Sequence, residues 1–492
     1  MRIFTDRFFS RPQMYGLSVF AIGLALLSGM LVSVRPWIGI VSVSGIAGLL
    51  VLSVLSRRTE ALFLGSLVVL IVGFLFYSKA FSYIGRPPLF VSEPVLILGL
   101  LSLVFSRIRG RINSLHLLIL GFASIGLVRT IPYLSSYGMD ALRDAATWYY
   151  ALFAIIISQL LSRQRITKFF VLYAWLAPAL TIWLAVMPVL FRYAPTSLRA
   201  LDARPFPFFY TIKAGDRAVI LMGLAAFVIT GLYTRFRGPG GLSPAVFWLS
   251  WGACALFVAA GNRGGMLAIA IPFMIIVLLC PSRELFQGAM VGIVLLSTVL
   301  VTNPSIDTGG ARAVSVEQIR LNLVSVFKDN TGNTGSVQGT KEWRLQWWKE
   351  IVSQTVAGPY FLSGQGFGIN LADEYGYQVD QNHSLRSPHS IHMTILARMG
   401  VPGFILWIGI NIMFASQLLR IHWRAKRIEQ QVISGIAVWL LAVWAASLVN
   451  GSFDVYLEGP YGAIPFWCVV GVGMALPALL RESGDNADPA RA

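Results

Sequence analysis

Charge is scarce in this sequence. Asp, Glu, Lys and Arg supply 12% of its 492 residues, against 56% hydrophobic, where soluble domains carry about 25% charge. With a mean hydropathy of +0.69, that excludes a soluble globule and points to a polytopic membrane protein. Acid is scarcer than base, and the net charge is +17. A nucleic-acid binder would gather such an excess on one face; here it is dispersed into short loops, so no nucleic-acid partner is expected. Cysteine is nearly missing. Cys254, Cys280 and Cys468 lie inside apolar runs without metal spacing, which predicts neither a disulfide framework nor a thiolate site. There is no Walker loop, dinucleotide fingerprint or His-Glu-x-x-His helix, so no cofactor and no resident metal is implied. The glycine alternation Gly364-Gln-Gly-Phe-Gly368 precedes no nucleotide-binding unit and is read as a tight loop.

What the chain has in abundance is long apolar runs. On a ruler of about 20 residues per crossing, they fall at 13–34, 37–55, 61–80, 89–106, 114–133, 147–162, 169–191, 218–234, 244–261, 265–281, 286–303, 400–419, 431–449 and 461–480. The first is followed by no small-residue cleavage site and is read as retained. The expected fold is therefore an all-α integral membrane protein of about 14 (12–14) transmembrane helices with one large extracytoplasmic loop subdomain. Arg57-Arg58, Arg107 to Arg111, Arg163 to Lys168, Arg235, Arg237, Arg283 and Arg420 to Arg427 cluster in alternate loops. The positive-inside rule then places both termini in the cytoplasm. Residues 1–303 form an N-terminal bundle of about 11 spans. Residues 304–399 form an outer subdomain with a boundary helix, 400–480 the last three spans, and 481–492 a disordered cytoplasmic tail.

The outer segment carries the polar residues. Its first third is rich in Gly, Asn, Thr and Ser, as in 329–336, and is read as mobile. Trp343, Trp347, Trp348 and Ile351 then keep a helical period that Gly358-Pro359 ends. From His389 to Met399 the apolar period predicts a short helix at the water boundary, broken at Gly400 and Pro402-Gly403 before the next span. Of the five histidines, His383, His389 and His392 share this segment. His389 suits a general base, because imidazole titrates near neutrality and accepts a hydroxyl proton. His392 would lie one turn deeper and pack. Arg263, in Gly261-Asn-Arg-Gly-Gly265, sits between two apolar runs with glycines leaving its backbone open to a ligand. Arg217 at the start of a span, and Arg204 among prolines, are further phosphate candidates, since the guanidinium fork grips two oxygens at once. The alternative function is a multi-span transporter or flippase for an anionic or lipid-linked substrate, with these arginines as an anion vestibule. That reading leaves the long loop and its histidine without a role and finds no inverted repeat. A structural scaffold would not need Arg263 in a glycine turn.

At these residues the chain resembles the superfamily of O-antigen ligases and O-antigen polymerases, the bacterial envelope polysaccharide glycosyltransferases. Four stretches carry the likeness: Gly261-Asn-Arg-Gly-Gly265; Trp343-Arg-Leu-Gln-Trp-Trp-Lys349 with Leu362 to Gly368; His389 with Gly400 and Pro402-Gly403; and Ser452-Phe-Asp-Val-Tyr456. Ser390 stands where the family has Asn after the histidine, and the N-terminal spans match in hydropathy alone. The resemblance implies transfer of a glycan from an undecaprenyl-pyrophosphate-linked oligosaccharide donor to an acceptor hydroxyl, on a glycan or a lipid A core, without a metal. It implies the bacterial inner membrane, a site facing the periplasm, and work beside a chain-length regulator or other glycan-assembly proteins. His389 is then the base and Arg263, Arg217 and Arg204 bind pyrophosphate, with Arg344 and His392 in support.

Overall fold

The computed structural model describes residues 59–86, 89–105, 112–193, 212–238, 241–303, 315–327 and 335–485. Apart from a two-residue antiparallel ladder, Gly85–Arg86 with Leu89–Phe90, the regular structure of these residues is helical. Eight of their helices are long and apolar enough to cross a membrane. The runs 13–34 and 37–55, the basic loops at 57–58 and 107–111, Arg204, most of 329–336 and the end of the tail lie outside the described residues.

Several elements depart from the expected spans. The run at 89–106 is a helix of 14 residues, Ser92–Phe105, shorter than a crossing needs. The run at 147–162 is divided between Met139–Tyr149 and Leu152–Leu160. Asp140 and Arg143 make the first of these polar along one side, which draws it to the water boundary, while the Asp144 side chain is buried against Arg386 and Arg398. The run at 218–234 stops at Ile229; Gly231 takes a left-handed conformation and a second helix, Leu232–Arg237, follows. Val316–Phe327 is helical inside the segment read as glycine-rich and mobile, and Asn322 Nδ2 donates to the carbonyls of Ala259 and Ala260, at 2.8 and 3.0 Å. The tail begins as helix, since Pro460–Asp485 runs past residue 481.

The bundle is built around Gln431–Phe453 and Pro460–Asp485, most of whose length is buried, whereas the apolar stretch of Arg283–Thr302 buries nothing. Among the described residues Arg283–Thr302 therefore lies at the edge of the bundle, and the first two helices form its centre. Ala214–Ile229, Arg263–Leu279 and Ile391–Arg427 pack on Gln431–Phe453, which brings the first residues of the first two helices beside its last. Outside this core a smaller apolar cluster joins Trp347 and Ile351 to Leu371, Ala372, Tyr375, Leu396 and Ala397. It seats the helix Gly335–Val356 on the first leg of Ile391–Arg427.

That leg, residues 391–399, ends where expected. Gly400 is non-helical, at φ 68° and ψ −171°, and its neighbour in space is the glycine loop. Gly364 is left-handed too, and a Cβ there would meet the Arg398 backbone at 2.4 Å and Gly400 N at 2.6 Å. Gln365 N–H donates to Ala397 O, Gly366 N–H to Arg398 O and Val401 N–H to Phe361 O. The loop thus caps the carbonyls that the break at Gly400 exposes. Gly364→Ala is expected to destabilise the protein by about 2 kcal/mol or more, from strain and overlap together. Thermal unfolding in detergent measures this; an unchanged midpoint would refute the packing argument.

Candidate active site

His389 sits just before the first leg rather than on it. The helix starts at Ile391 with Ser390 as N-cap, and His389 has a positive φ of 54°, uncommon for a residue with a Cβ. The indole N–H of Trp348 donates to Pro388 O at 2.9 Å, tying the turn to Gly335–Val356. The ring of His389 is about a quarter exposed, and its Nδ1 lies 3.7 Å from Asp454 Oδ1. That distance is an ion-pair approach rather than a hydrogen bond.

Asp454 follows the last residue of Gln431–Phe453. Lys213 Nζ donates to both its oxygens, at 3.0 and 3.2 Å, and Val455 N–H to Oδ1 at 2.8 Å. Burial alone would raise this carboxyl, but His389, then Lys213 and the Val455 amide, hold it well below the usual carboxylate range. Asp454 is therefore an anion at any working pH.

Arg263 is the first residue of Arg263–Leu279. Asn262 caps that helix by accepting from Gly265 N–H, and Gly264 lets Phe453 approach, since a Cβ would lie 3.1 Å from the Phe453 Cβ. Arg344 reaches across from Gly335–Val356, its Nη1 donating to Phe453 O at 2.9 Å. Burial lowers the Arg344 pKa, with Asp454 opposing the shift and the nearby Arg263 cation adding to it.

His389, Asp454, Lys213, Arg263, Lys341 and Arg344 line one cavity of about 380 Å³. Its wall is membrane helix ends, with Asn450, Phe453 and Leu267; its roof is Gly335–Val356, with Leu345 and Trp348. Four cations, one carboxylate and an imidazole thus surround a space with apolar sides. Such a space suits an amphiphilic anion.

The other expected residues fall elsewhere. Arg217 does not line this cavity; its Nε donates to Ile212 O at 2.9 Å, and it lies beside the Cys254 thiol. His392 packs. Its Nδ1 accepts from Trp407 Nε1–H at 3.0 Å and its Nε2 lies 3.0 Å from Ser452 Oγ, so it supports the end of Gln431–Phe453. His383 is exposed and pairs with Asp373 at 2.7 Å. Among the described residues no three His, Cys, Asp or Glu side chains gather as a metal site would need. Sequence reasoning missed Lys213, Lys341, Asn450 and the role of Asp454. Asp454 had a signal, a lone acid at the end of a neutral span within a quoted motif.

The histidine, the arginine turn and the roof helix lie far apart in the chain yet close one pocket, and a family comparison finds them together. Residues 245–408 match the O-antigen ligase family. That third of the chain holds the Arg263 turn, Gly335–Val356, the glycine loop, His389 and the Gly400 break, and three of the four stretches that carried the resemblance. It supports the O-antigen ligase and polymerase superfamily and a glycosyltransferase-type activity in polysaccharide biosynthesis. With the helices it makes this a multi-pass bacterial membrane protein. No curated protein matches the chain.

Proposed function

We propose that the protein moves a glycan from a polyprenyl-pyrophosphate donor to an acceptor hydroxyl, with the reaction taking place in the 380 Å³ cavity. The observation that carries this is the convergence of His389 with Arg263, Lys341 and Arg344 on one space. The acceptor oxygen attacks the anomeric carbon, and the bond from that carbon to the pyrophosphate oxygen breaks. The hydroxyl proton passes to His389, whose Nδ1 faces Asp454; the tautomer that carries its proton there leaves Nε2 to accept. The pyrophosphate leaves with a further negative charge, which Arg263, Lys341 and Arg344 are placed to stabilise. Leu267, Leu345 and Phe453 offer the apolar side that a lipid-borne donor needs. Arg217, outside the cavity, would act through the neighbouring Lys213 turn, and His392 by holding Ser452.

In this reading residues 304–399 lie outside the inner membrane as a periplasmic subdomain, which a labelling experiment checks. Val379 is 64% exposed, so Val379→Cys in an otherwise cysteine-free variant is expected to react with an impermeant maleimide in cells whose outer membrane alone is opened. Reaction only after the inner membrane is breached would overturn the orientation. The function itself is tested with purified protein, lipid-linked oligosaccharide and acceptor. Release of polyprenyl pyrophosphate in step with glycan transfer is expected, and its absence while the lipid crosses vesicles would favour transport.

A further inference from the structure

The turn that carries His389 costs free energy, because a left-handed backbone at a residue with a Cβ persists only where its surroundings impose it. The surroundings are specific. Glu458, in the short turn between Gln431–Phe453 and Pro460–Asp485, accepts from Ser387 Oγ at 3.0 Å and from Thr394 Oγ1 at 2.9 Å, both on Oε1. Ser387 lies two residues before His389 and Thr394 five after it, so one carboxylate oxygen clamps the two sides of the turn. Ser387, Ser390 and Thr394 are all buried, so a lost bond there is not replaced cheaply by water. The far end of the first leg is pinned independently: Arg398 is buried, reaches Asp144 at 2.9 Å, and donates to Gly366 O and Ile369 O. Glu458 therefore fixes the one end of the leg that faces the cavity, without lining the cavity itself.

We infer that Glu458 is a positioning residue for His389: by joining Ser387 to Thr394 it holds the imidazole at its place beside Asp454 in the cavity. The inference rests on the reading of His389 as the base. A carboxyl oxygen suits the task because its two lone pairs accept both hydroxyl bonds, and burial, which raises the Glu458 pKa, leaves that acceptor in place. A glutamine carbonyl has the same two lone pairs and keeps the geometry. An aliphatic side chain keeps neither bond.

The test measures kcat, the KM for lipid-linked donor and thermal unfolding in Glu458→Gln, Glu458→Leu and Ser387→Ala/Thr394→Val, beside His389→Ala. Displacing a base by about 1 Å costs up to roughly a hundredfold. Glu458→Leu is therefore expected to lower kcat by roughly ten- to a hundredfold with donor KM within about twofold, and Glu458→Gln to recover most of it. Should Glu458→Leu not fold, the hydroxyl pair variant removes the same clamp from the other side and is expected to show the same loss of kcat. A merely structural role would lower the unfolding temperature and the amount of active protein in all of these but would not split kcat from KM per active enzyme. Unchanged kcat in the hydroxyl pair variant, or a Glu458→Gln protein as slow as Glu458→Leu, would overturn the inference while an inactive His389→Ala left the base assignment standing. Full activity in His389→Ala would bring down both.

Discussion

His389→Ala is expected to lose glycan transfer by roughly 10²–10⁴-fold, the usual worth of a general base, while expression and donor binding stay near wild type. Removing the ring takes away the proton acceptor but leaves Arg263, Lys341 and Arg344 to hold the donor. The loss belongs in kcat, because the interaction is realised as the acceptor hydroxyl reacts. The neighbouring histidines make the controls. His383 is exposed, bound to Asp373 and away from the cavity, so His383→Ala is expected to stay within a few-fold of wild type. His392 has both ring nitrogens engaged by Trp407 and Ser452. His392→Ala strands the buried Trp407 N–H, while Ser452 keeps its bond to Leu448 O, and is expected to lower the unfolding temperature more than the turnover of folded enzyme. An assay of the three variants decides the matter. Equal losses at all three, restored by added zinc, would identify a metal site; an active His389→Ala would remove the base assignment.

The parts that could be read in the sequence are those where a local rule has no competitor. Gly400 after an apolar period reads as a break, and the structure breaks there, although Pro402 and Gly403, read as part of the same break, already lie in the helix that resumes. Arg263 and His389 are polar groups at the edges of apolar runs, where a charge or ring needs a reason, and both line the one cavity. The failures have physical causes as well. Arg217 and Lys213 are one helical turn apart, and nothing local decides which of two cations near a span's start will reach a cavity; contact with the Phe453 end of a distant helix does. Residues 316–327 carry Val316, Ile319, Leu323 and Phe327 at helical spacing, but glycine- and asparagine-rich flanks hid them. Residues 147–162 show a long apolar count without showing that Tyr150-Ala151 interrupts it. Asp454 had a place in the sequence but acquires a role only through Lys213 and His389, which come from two other parts of the chain.

Arg263→Lys keeps the charge and is nevertheless expected to slow transfer by roughly ten- to a hundredfold. The argument is geometric. A guanidinium presents a planar fork that can bind two phosphate oxygens, whereas an ammonium is a compact point charge on a flexible stem. One charge-assisted contact is worth about 1.5–3 kcal/mol, and a contact that strengthens as the pyrophosphate leaves appears directly in the rate. Arg263 is the residue to test because its backbone is fixed at the first turn of a helix capped by Asn262, so its reach into the cavity is set by the fold. Arg344 is a poorer probe, since its Nη1 also holds Phe453 O and its loss would loosen the roof. Arg217→Lys is the matched control: it makes the same change of head group on a half-buried arginine outside the cavity. It is expected to alter donor KM and turnover less than Arg263→Lys does. The readout is kcat and donor KM in the reconstituted assay, with thermal unfolding to confirm that each variant is folded. If Arg263→Lys turned over at the wild-type rate, the residue would be no more than an anchor to lipid headgroups, and the leaving pyrophosphate would have to be met by Lys341 and Arg344 instead.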